Sequence, residues 1–375
     1  MSTPIRLLLA GGGTGGHLYP GIALAEAFHE QRPDGQVLFV GTEAGLEKTL
    51  LPQQGYDVSF VRASRVKGAG LWARIKAVFR LPLGVWDAWR ILSQFRPNLV
   101  VSVGGYAAAP TVIAAWLRRI PSVAVEPNAV PGLTNRVLGK LAKHVLVAHK
   151  QALQWFSKTK ATVVGVPLRK DIVAQLRAAS ERLTPRSSNV AHVLVFGGSQ
   201  GARFLNERMP AVLRDLPITV LHQTGPKDVE MVRDGYREMG VDADVRPYLD
   251  DMASAYANCD LAVTRAGAST VAELALTGTP ALLVPFPFAA DDHQAANARM
   301  LSEVEAARMV RQSDWNDEDI HEWLRTCLVD RDRLARMAQS AGETALPSAA
   351  SDAISICLAL LTRNKRTFHR PVGVL

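Results

Sequence analysis

Cysteine is scarce in this chain: Cys259, Cys327 and Cys357 are the three thiols in 375 residues. An odd, widely spaced set excludes a disulfide framework and a cysteine zinc site, and reads as buried thiols in a reducing compartment. Long hydrophobic runs are missing too. No stretch approaches the ~18 uninterrupted apolar residues of a membrane-spanning helix. Ile5–Ala10 is too short for the apolar core of a signal peptide and runs straight into glycines. Low-complexity tracts and short-period repeats are absent. No Gly-Lys-Ser/Thr follows a glycine loop, so a P-loop is excluded.

What remains is an ordinary globular composition, 48% hydrophobic and 21% charged. The length exceeds what one core usually supports, so two domains are expected. The net charge of +8 is uneven: residues 1–165 hold 19 basic and 8 acidic side chains, the remainder 24 and 27. A basic first half suits an anionic partner such as a phosphorylated substrate or a membrane surface, and no recognised motif points to nucleic acid.

Short apolar runs alternate with helix-length segments throughout, as in βαβ units of doubly wound parallel sheets. Two of these units carry glycine loops. Ile5–Ala10 leads into Gly11-Gly12-Gly13-Thr14-Gly15-Gly16-His17 and a helix; Val193–Phe196 leads into Gly197-Gly198-Ser199-Gln200-Gly201-Ala202 and another. Backbone N–H groups in such a loop, with a helix N-terminus behind them, suit a phosphate or pyrophosphate. His17 adds a group able to exchange a proton near neutral pH. The expected organisation is an α/β fold with two Rossmann-like domains, 1–165 and 166–348, facing across a cleft. The last helix, within 349–375, is expected to pack back on the first domain.

Gly11–Gly16 formally satisfies G-x-G-x-x-G, but the second strand ends Phe39-Val40-Gly41-Thr42 with Glu43 displaced, so the ribose acid of a dinucleotide site is missing. Arg265-Ala266-Gly267-Ala268-Ser269-Thr270-Val271-Ala272-Glu273 follows the strand ending at Val263 and opens a helix. Ser269 and Thr270 are candidate caps of that helix. Glu273 reads either as a ribose-diol acceptor or as a capping-box acid. Asp291-Asp292-His293-Gln294, after a proline-rich loop, reads either as a sugar-binding cluster or as a solvated helix start.

Gly12–His17, Gly104-Gly105-Tyr106, Glu126-Pro127-Asn128 with Gly132-Leu133-Thr134-Asn135, Gly197–Ala202, Arg265–Glu273 and Gln294–Asn297 occur in one order. Over nearly the whole chain this set resembles the MurG family, the bacterial UDP-N-acetylglucosamine: lipid I N-acetylglucosaminyltransferases. The resemblance implies a GT-B fold, no metal or other cofactor, and inversion at the anomeric carbon. It also implies lipid I as acceptor and lipid II as product, on the cytoplasmic face of the bacterial inner membrane. Donor contacts are implied for Thr14, Gly15, Gly16, Asn128, Arg169, Ser199, Leu249, Ala268, Ser269, Thr270, Val271, Ala272, Glu273 and Gln294. Ser199 and Arg169 are expected at the pyrophosphate, the Leu249 backbone at uracil, Glu273 at the ribose and Gln294 at the sugar. His17 is expected near the attacking hydroxyl as general base; Glu126 is the other candidate for that role or for positioning it, or else a structural acid buried beside the loop. Tyr106 is expected at the acceptor. Ala266, Ser269 and Pro127 depart from the usual pattern, and Asp291-Asp292-His293 is more acidic than usual.

Residues 62–90 interleave basic and apolar side chains. Trp72, Ile75 and Phe79 recur at helical spacing beside Lys76 and Arg80, with Trp86 beyond. Such a stripe either packs on the sheet or lies in an anionic bilayer interface, and an acceptor with a polyprenyl tail favours the second. Other cell-wall synthesis proteins are further expected partners. The rival readings are another UDP-sugar enzyme such as a UDP-N-acetylglucosamine 2-epimerase, a nicotinamide oxidoreductase, and a noncatalytic nucleotide sensor.

Overall fold

A computed structural model describes residues 4–12, 15–63, 71–157, 160–181, 190–198 and 200–367, without the side chains of 71–79, 179–181 and 363–367. Two compact units emerge: residues 1–170 with 347–375, and residues 171–346.

Unit 1 is built on β1 (Arg6–Gly11), β2 (Gln36–Gly41), β3 (Val58–Phe60), β4 (Leu99–Gly104), β5 (Ser122–Glu126), β6 (His144–Val147) and β7 (Ala161–Val163). These form one parallel sheet in the order β3-β2-β1-β4-β5-β6-β7. Helices α1 (Gly15–Gln31), α2 (Glu47–Gln53), α3 (Leu71–Phe95), α4 (Ala108–Leu117) and α5 (Leu133–Leu141) connect them. Alternation along β1 explains the uninterrupted apolar run. Leu7 and Leu9 pack with α1, whereas Leu8 and Ala10 pack with α3 and α4 on the other face. Both faces are covered, so both sets must be apolar.

Unit 2 contains α6 (Lys170–Glu181, Lys170 itself counting with unit 1) and the strands β8 (Ala191–Phe196), β9 (Ile218–Gln223), β10 (Asp242–Arg246), β11 (Leu261–Thr264), β12 (Ala281–Leu283) and β13 (Ala307–Met309). Their order is β10-β9-β8-β11-β12-β13, again parallel. Helices α7 (Arg203–Val212), α8 (Val229–Glu238), α9 (Met252–Ala257), α10 (Ala268–Thr277), α11 (His293–Ser302), α12 (Asp317–Val329) and α13 (Arg331–Glu343) complete it.

The last helix, α14 (Ala349–Thr367), returns to unit 1 and lies along α1. Ala353, Ile354 and Cys357 enter the core around Leu7 and Leu9. Gln31 donates to Ser351 O at 2.9 Å and accepts from the Ser355 hydroxyl at 3.2 Å. In each sheet the strand order reverses beside the first strand of the unit, at β1/β4 and at β8/β11. Ligands of open α/β sheets bind at such switch points, outside the carboxyl ends of the strands. Each glycine loop sits at one of them.

Candidate functional site

At the β1/β4 switch point, the end of β4 and the start of α1 meet. Gly104 has φ +88°, and a Cβ there would fall 3.1 Å from the Cε1 and Nδ1 atoms of His17. The imidazole therefore rests on a strand end that only glycine leaves open. Asn135, on α5, borders the same space. Its amide nitrogen donates at 3.0 Å to both Val125 O and Glu126 Oε2.

Glu126 ends β5 and is 2% exposed. Its Oε1 accepts from the N–H and the Nδ2 of Asn128, at 2.9 and 3.0 Å. Its Oε2 accepts from Gly132 N and Asn135 Nδ2, both at 3.0 Å. A carboxylate offers about four lone-pair sites, and four N–H donors occupy them. Glu126 is thus engaged in folding the 127–135 loop, which leaves it poorly disposed to take a substrate proton. Tyr106 is half-buried in the turn before α4.

Two further residues shape this end of unit 1 and escaped the sequence reading. Glu47, at the start of α2, is fully buried and accepts from Thr42 N at 2.7 Å and Thr42 Oγ1 at 3.0 Å. Its carboxyl fills the space where a Cβ on Gly12 would lie, 2.5 Å from Oε1. Tyr19 covers Gly15, and the Arg169 guanidinium lies 5.9 Å from the centre of its ring, within cation–π range. Arg169 thus belongs to the surroundings of α1 within unit 1.

At the β8/β11 switch point, Gly201 has φ +71°, and a Cβ there would fall 1.8 Å from Thr224 O. Gln223 Nε2 donates to Gly198 O at 3.0 Å, tying the loop to the end of β9. Beneath it lies a closed network. His222 bonds Tyr236 OH at 3.0 Å and Asn206 Oδ1 at 3.1 Å, and Asn206 Nδ2 donates to Thr224 O and Asp228 Oδ2 at 2.9 Å. Burial holds the His222 pKa down at about 3, so the ring is neutral.

Across the switch point, Arg265 is buried and donates to Val284 O at 3.0 Å and Pro285 O at 3.2 Å. Burial lowers its pKa to about 10, which leaves it a cation at neutral pH. Gln294 Oε1 accepts from Phe286 N at 2.9 Å and Ala266 N at 3.3 Å. Glu273 is half-buried on α10, and Tyr256 OH donates to its Oε2 at 3.0 Å. Burial pushes its carboxyl up to about 7, while the tyrosine hydroxyl acts in the opposite direction.

The expected caps of α10 are corrected. Gly267 occupies the N-cap with extended backbone, which places Ser269 and Thr270 inside the first turn. Glu273 is sixth in the helix, too far along for a capping box. Ala268 and Ala272 are half-exposed, whereas Val271 is buried and its N–H bonds Gly267 O at 2.9 Å. The Leu249 side chain is likewise buried beside an exposed Tyr248. Asp292 pairs with Arg311, and His293 Nδ1 lies 2.7 Å from Ala290 O.

Two domain models match the chain: the glycosyltransferase family 28 N-terminal domain over residues 7–147 and the family 28 C-terminal domain over residues 192–353. The UDP-N-acetylglucosamine--N-acetylmuramyl-(pentapeptide) pyrophosphoryl-undecaprenol N-acetylglucosamine transferase of Myxococcus xanthus is 42% identical over 368 residues, 96% of this chain and 94% of its own. The protein of the same name from Anaeromyxobacter dehalogenans is 43% identical over 365 residues, with the same shares covered. Acinetobacter baumannii MurG superposes with a TM-score of 0.79 at 32% identity, covering 94% of this chain and 99% of that one. The chain belongs to the MurG family.

The N-terminal domain match spans β1 to β6 and the C-terminal match spans β8 to β13, and the fold is GT-B. Thr14 and Ser199 lie outside the described residues, as do the side chains of Trp72, Ile75, Lys76 and Phe79, whose backbone forms the first turns of α3. Within the described part of that surface, Arg80 is exposed, Trp86 is 60% exposed and Trp116 on α4 is 54% exposed. Arg118 lies 5.0 Å from the centre of the Trp89 ring and donates to Trp89 O. No described helix is long and apolar enough to cross a membrane.

Proposed function

We propose that this chain transfers N-acetylglucosamine from UDP-N-acetylglucosamine to the 4-hydroxyl of the MurNAc residue in undecaprenyl-pyrophosphoryl-MurNAc-pentapeptide, with inversion, to give lipid II. The observation that carries the reading is the placement of His17. It lies on Gly104 at a strand-order switch point, in the first turn of a helix, beside the Glu126–Asn135 network. That is where a proton acceptor and an anion-binding helix end serve one phosphorylated acceptor.

His17 takes the proton as the acceptor oxygen bonds to the anomeric carbon. The bond from that carbon to the donor's phosphate oxygen breaks, and its electron pair leaves with UDP. Glu126 holds Asn128 and the 127–135 loop in place, while Glu47 supports Gly12 from below. Tyr106 contacts the acceptor. Thr14, Gly15, Gly16 and Asn128 are further donor contacts.

In unit 2, the N–H groups of the 197–202 loop and the N-terminus of α7 receive the donor pyrophosphate together with Ser199. Arg265 supplies a nearby positive charge as UDP departs. Glu273 accepts the ribose hydroxyls, the 249 backbone pairs with uracil, and the Gln294 amide nitrogen donates to the sugar. Arg169 adds a positive charge for the donor pyrophosphate. The exposed tryptophans and arginines of α3 and α4 support peripheral binding to anionic lipid at the cytoplasmic face of the inner membrane.

The test is UDP release from UDP-N-acetylglucosamine with and without a soluble lipid I analogue. Acceptor-dependent release with a disaccharide product supports the transferase. Release without acceptor, accompanied by epimerised sugar, would replace it with the epimerase reading.

A further inference from the structure

Tyr256 is absent from every motif of the chain, yet it touches two segments of the proposed donor site and sits on the helix that follows a third. It sits on α9, the helix that follows Tyr248-Leu249-Asp250. Asp251 caps that helix, accepting from Ser254 N at 2.9 Å and Ser254 Oγ at 2.6 Å. The Tyr256 ring is fully buried and meets Phe196 edge-on, with centroids 6.0 Å apart and planes at 83°. Phe196 is the last residue of β8, immediately before the glycine loop. The hydroxyl donates to Glu273 Oε2 at 3.0 Å.

We infer that Tyr256 is a positioning residue for the nucleotide: its hydroxyl fixes Glu273 from the protein side and keeps the carboxylate aimed at the ribose diol. This rests on the reading of Glu273 as the ribose acceptor. The hydrogen bond occupies one lone pair of Oε2, leaving Oε1 and the second lone pair of Oε2 for two ribose hydroxyls. The ring contact fixes the distance from α9 to the strand end that leads into the pyrophosphate loop.

The charge balance supports the same role. Burial raises the Glu273 carboxyl to about 7, and the Tyr256 hydroxyl is the group that counters it. Behind Tyr256, the Cys259 thiol donates to Tyr256 O at 3.4 Å. Tyr256 itself is pushed far above its ordinary value by burial and by Glu273, so it stays a donor across the working range. Without its hydroxyl, a larger share of Glu273 is protonated at neutral pH, and a protonated carboxyl is a poorer acceptor for two hydroxyls.

The experiment is calorimetric titration of UDP into the full chain from pH 5.5 to 9 for the wild type, Tyr256→Phe and Glu273→Gln. Wild-type affinity should rise with pH through a midpoint near that of Glu273. Tyr256→Phe should raise the midpoint by about one pH unit, weaken binding several-fold at pH 7 and rejoin the wild type at high pH. A ring-fluorinated tyrosine at this position, a stronger donor of the same shape, should move the midpoint down, and it serves as the test where the phenylalanine variant fails to fold. Glu273→Gln should bind weakly with a flatter profile. A Tyr256→Phe profile that superimposes on the wild type, with Glu273→Gln still weak, overturns the role of Tyr256 alone. Wild-type affinity in Glu273→Gln overturns the ribose reading beneath it.

Discussion

Asn135 and Glu126 are joined at 3.0 Å, from the Nδ2 of one to the Oε2 of the other, and the same nitrogen also donates to Val125 O. The contact pins the first turn of α5 to the end of β5. Glu126→Ala would leave four donors without their acceptor, at about 1–3 kcal/mol for each that stays buried and unsatisfied. Calorimetric melting should show unit 1 unfolding several degrees lower. Glu126→Gln should retain the His17-dependent limb of the pH–rate profile, and loss of that limb would restore Glu126 as the base.

His17→Ala should lower kcat by roughly 10²–10⁴-fold, the range for removal of a general base. UDP affinity should change little, because His17 is read as an acceptor-side group and not as a donor contact. Single-turnover rates with UDP calorimetry separate the two, and loss of nucleotide binding would move His17 from acceptor chemistry to the donor.

Glu47 fills the space under Gly12, so Gly12→Ala should force its carboxyl aside and displace the first glycine loop. Glu47→Ala should empty that space and loosen the loop. Both are expected to raise KM for the acceptor several-fold. An unchanged acceptor KM in both variants would reduce Glu47 to a packing residue.

Two shifted groups in unit 2 oppose one another in acid. His222, held at about 3 when folded against 6.5 for the free side chain, contributes stability that is complete above pH 6.5 and is lost as pH falls. Its slope is about 1.4 kcal/mol per pH unit over that window. Glu273, raised to about 7 from 4.5, changes stability the other way between those values. Wild-type unit 2 should therefore vary little from pH 6.5 to 4.5, whereas Glu273→Gln should begin losing stability near 6.5. Amide exchange in β8 and β9 provides the measurement. In unit 1, burial holds His149 at about 4, so acid lability from this residue should begin below pH 6.5 without that offset.

For the membrane surface, Trp86→Ser and Trp116→Ser together should reduce sedimentation with anionic vesicles without affecting turnover of a soluble acceptor. Added salt should weaken the binding of both forms, because the basic side chains act through a screened field. Equal sedimentation of the double variant would place lipid contact elsewhere.

The strands and glycine loops were readable because each depends on neighbours in sequence: an apolar run, a glycine cluster and then helical periodicity. Glu47 could not be read that way. Its meaning comes from β2 lying beside β1, which brings the start of α2 under Gly12. Tyr256 is similar, since its partner Glu273 lies on the next helix across a strand. Glu126 was visible as an acid beside Asn128, but its lone pairs can be counted only after the 127–135 loop closes around it. Ser269 and Thr270 misled because good capping residues stood one turn position inside a helix that glycine begins.

The helix that seals the core around Leu7, Leu9 and Phe28 comes from residues beyond 346, after all of unit 2. A ribosome therefore releases the seven strands of unit 1 well before the segment that closes them, and an apolar face waits while another sheet is made and folded. During that interval unit 1 is the part exposed to chaperones and to misassociation with neighbouring chains. The domain begun first is the one finished last.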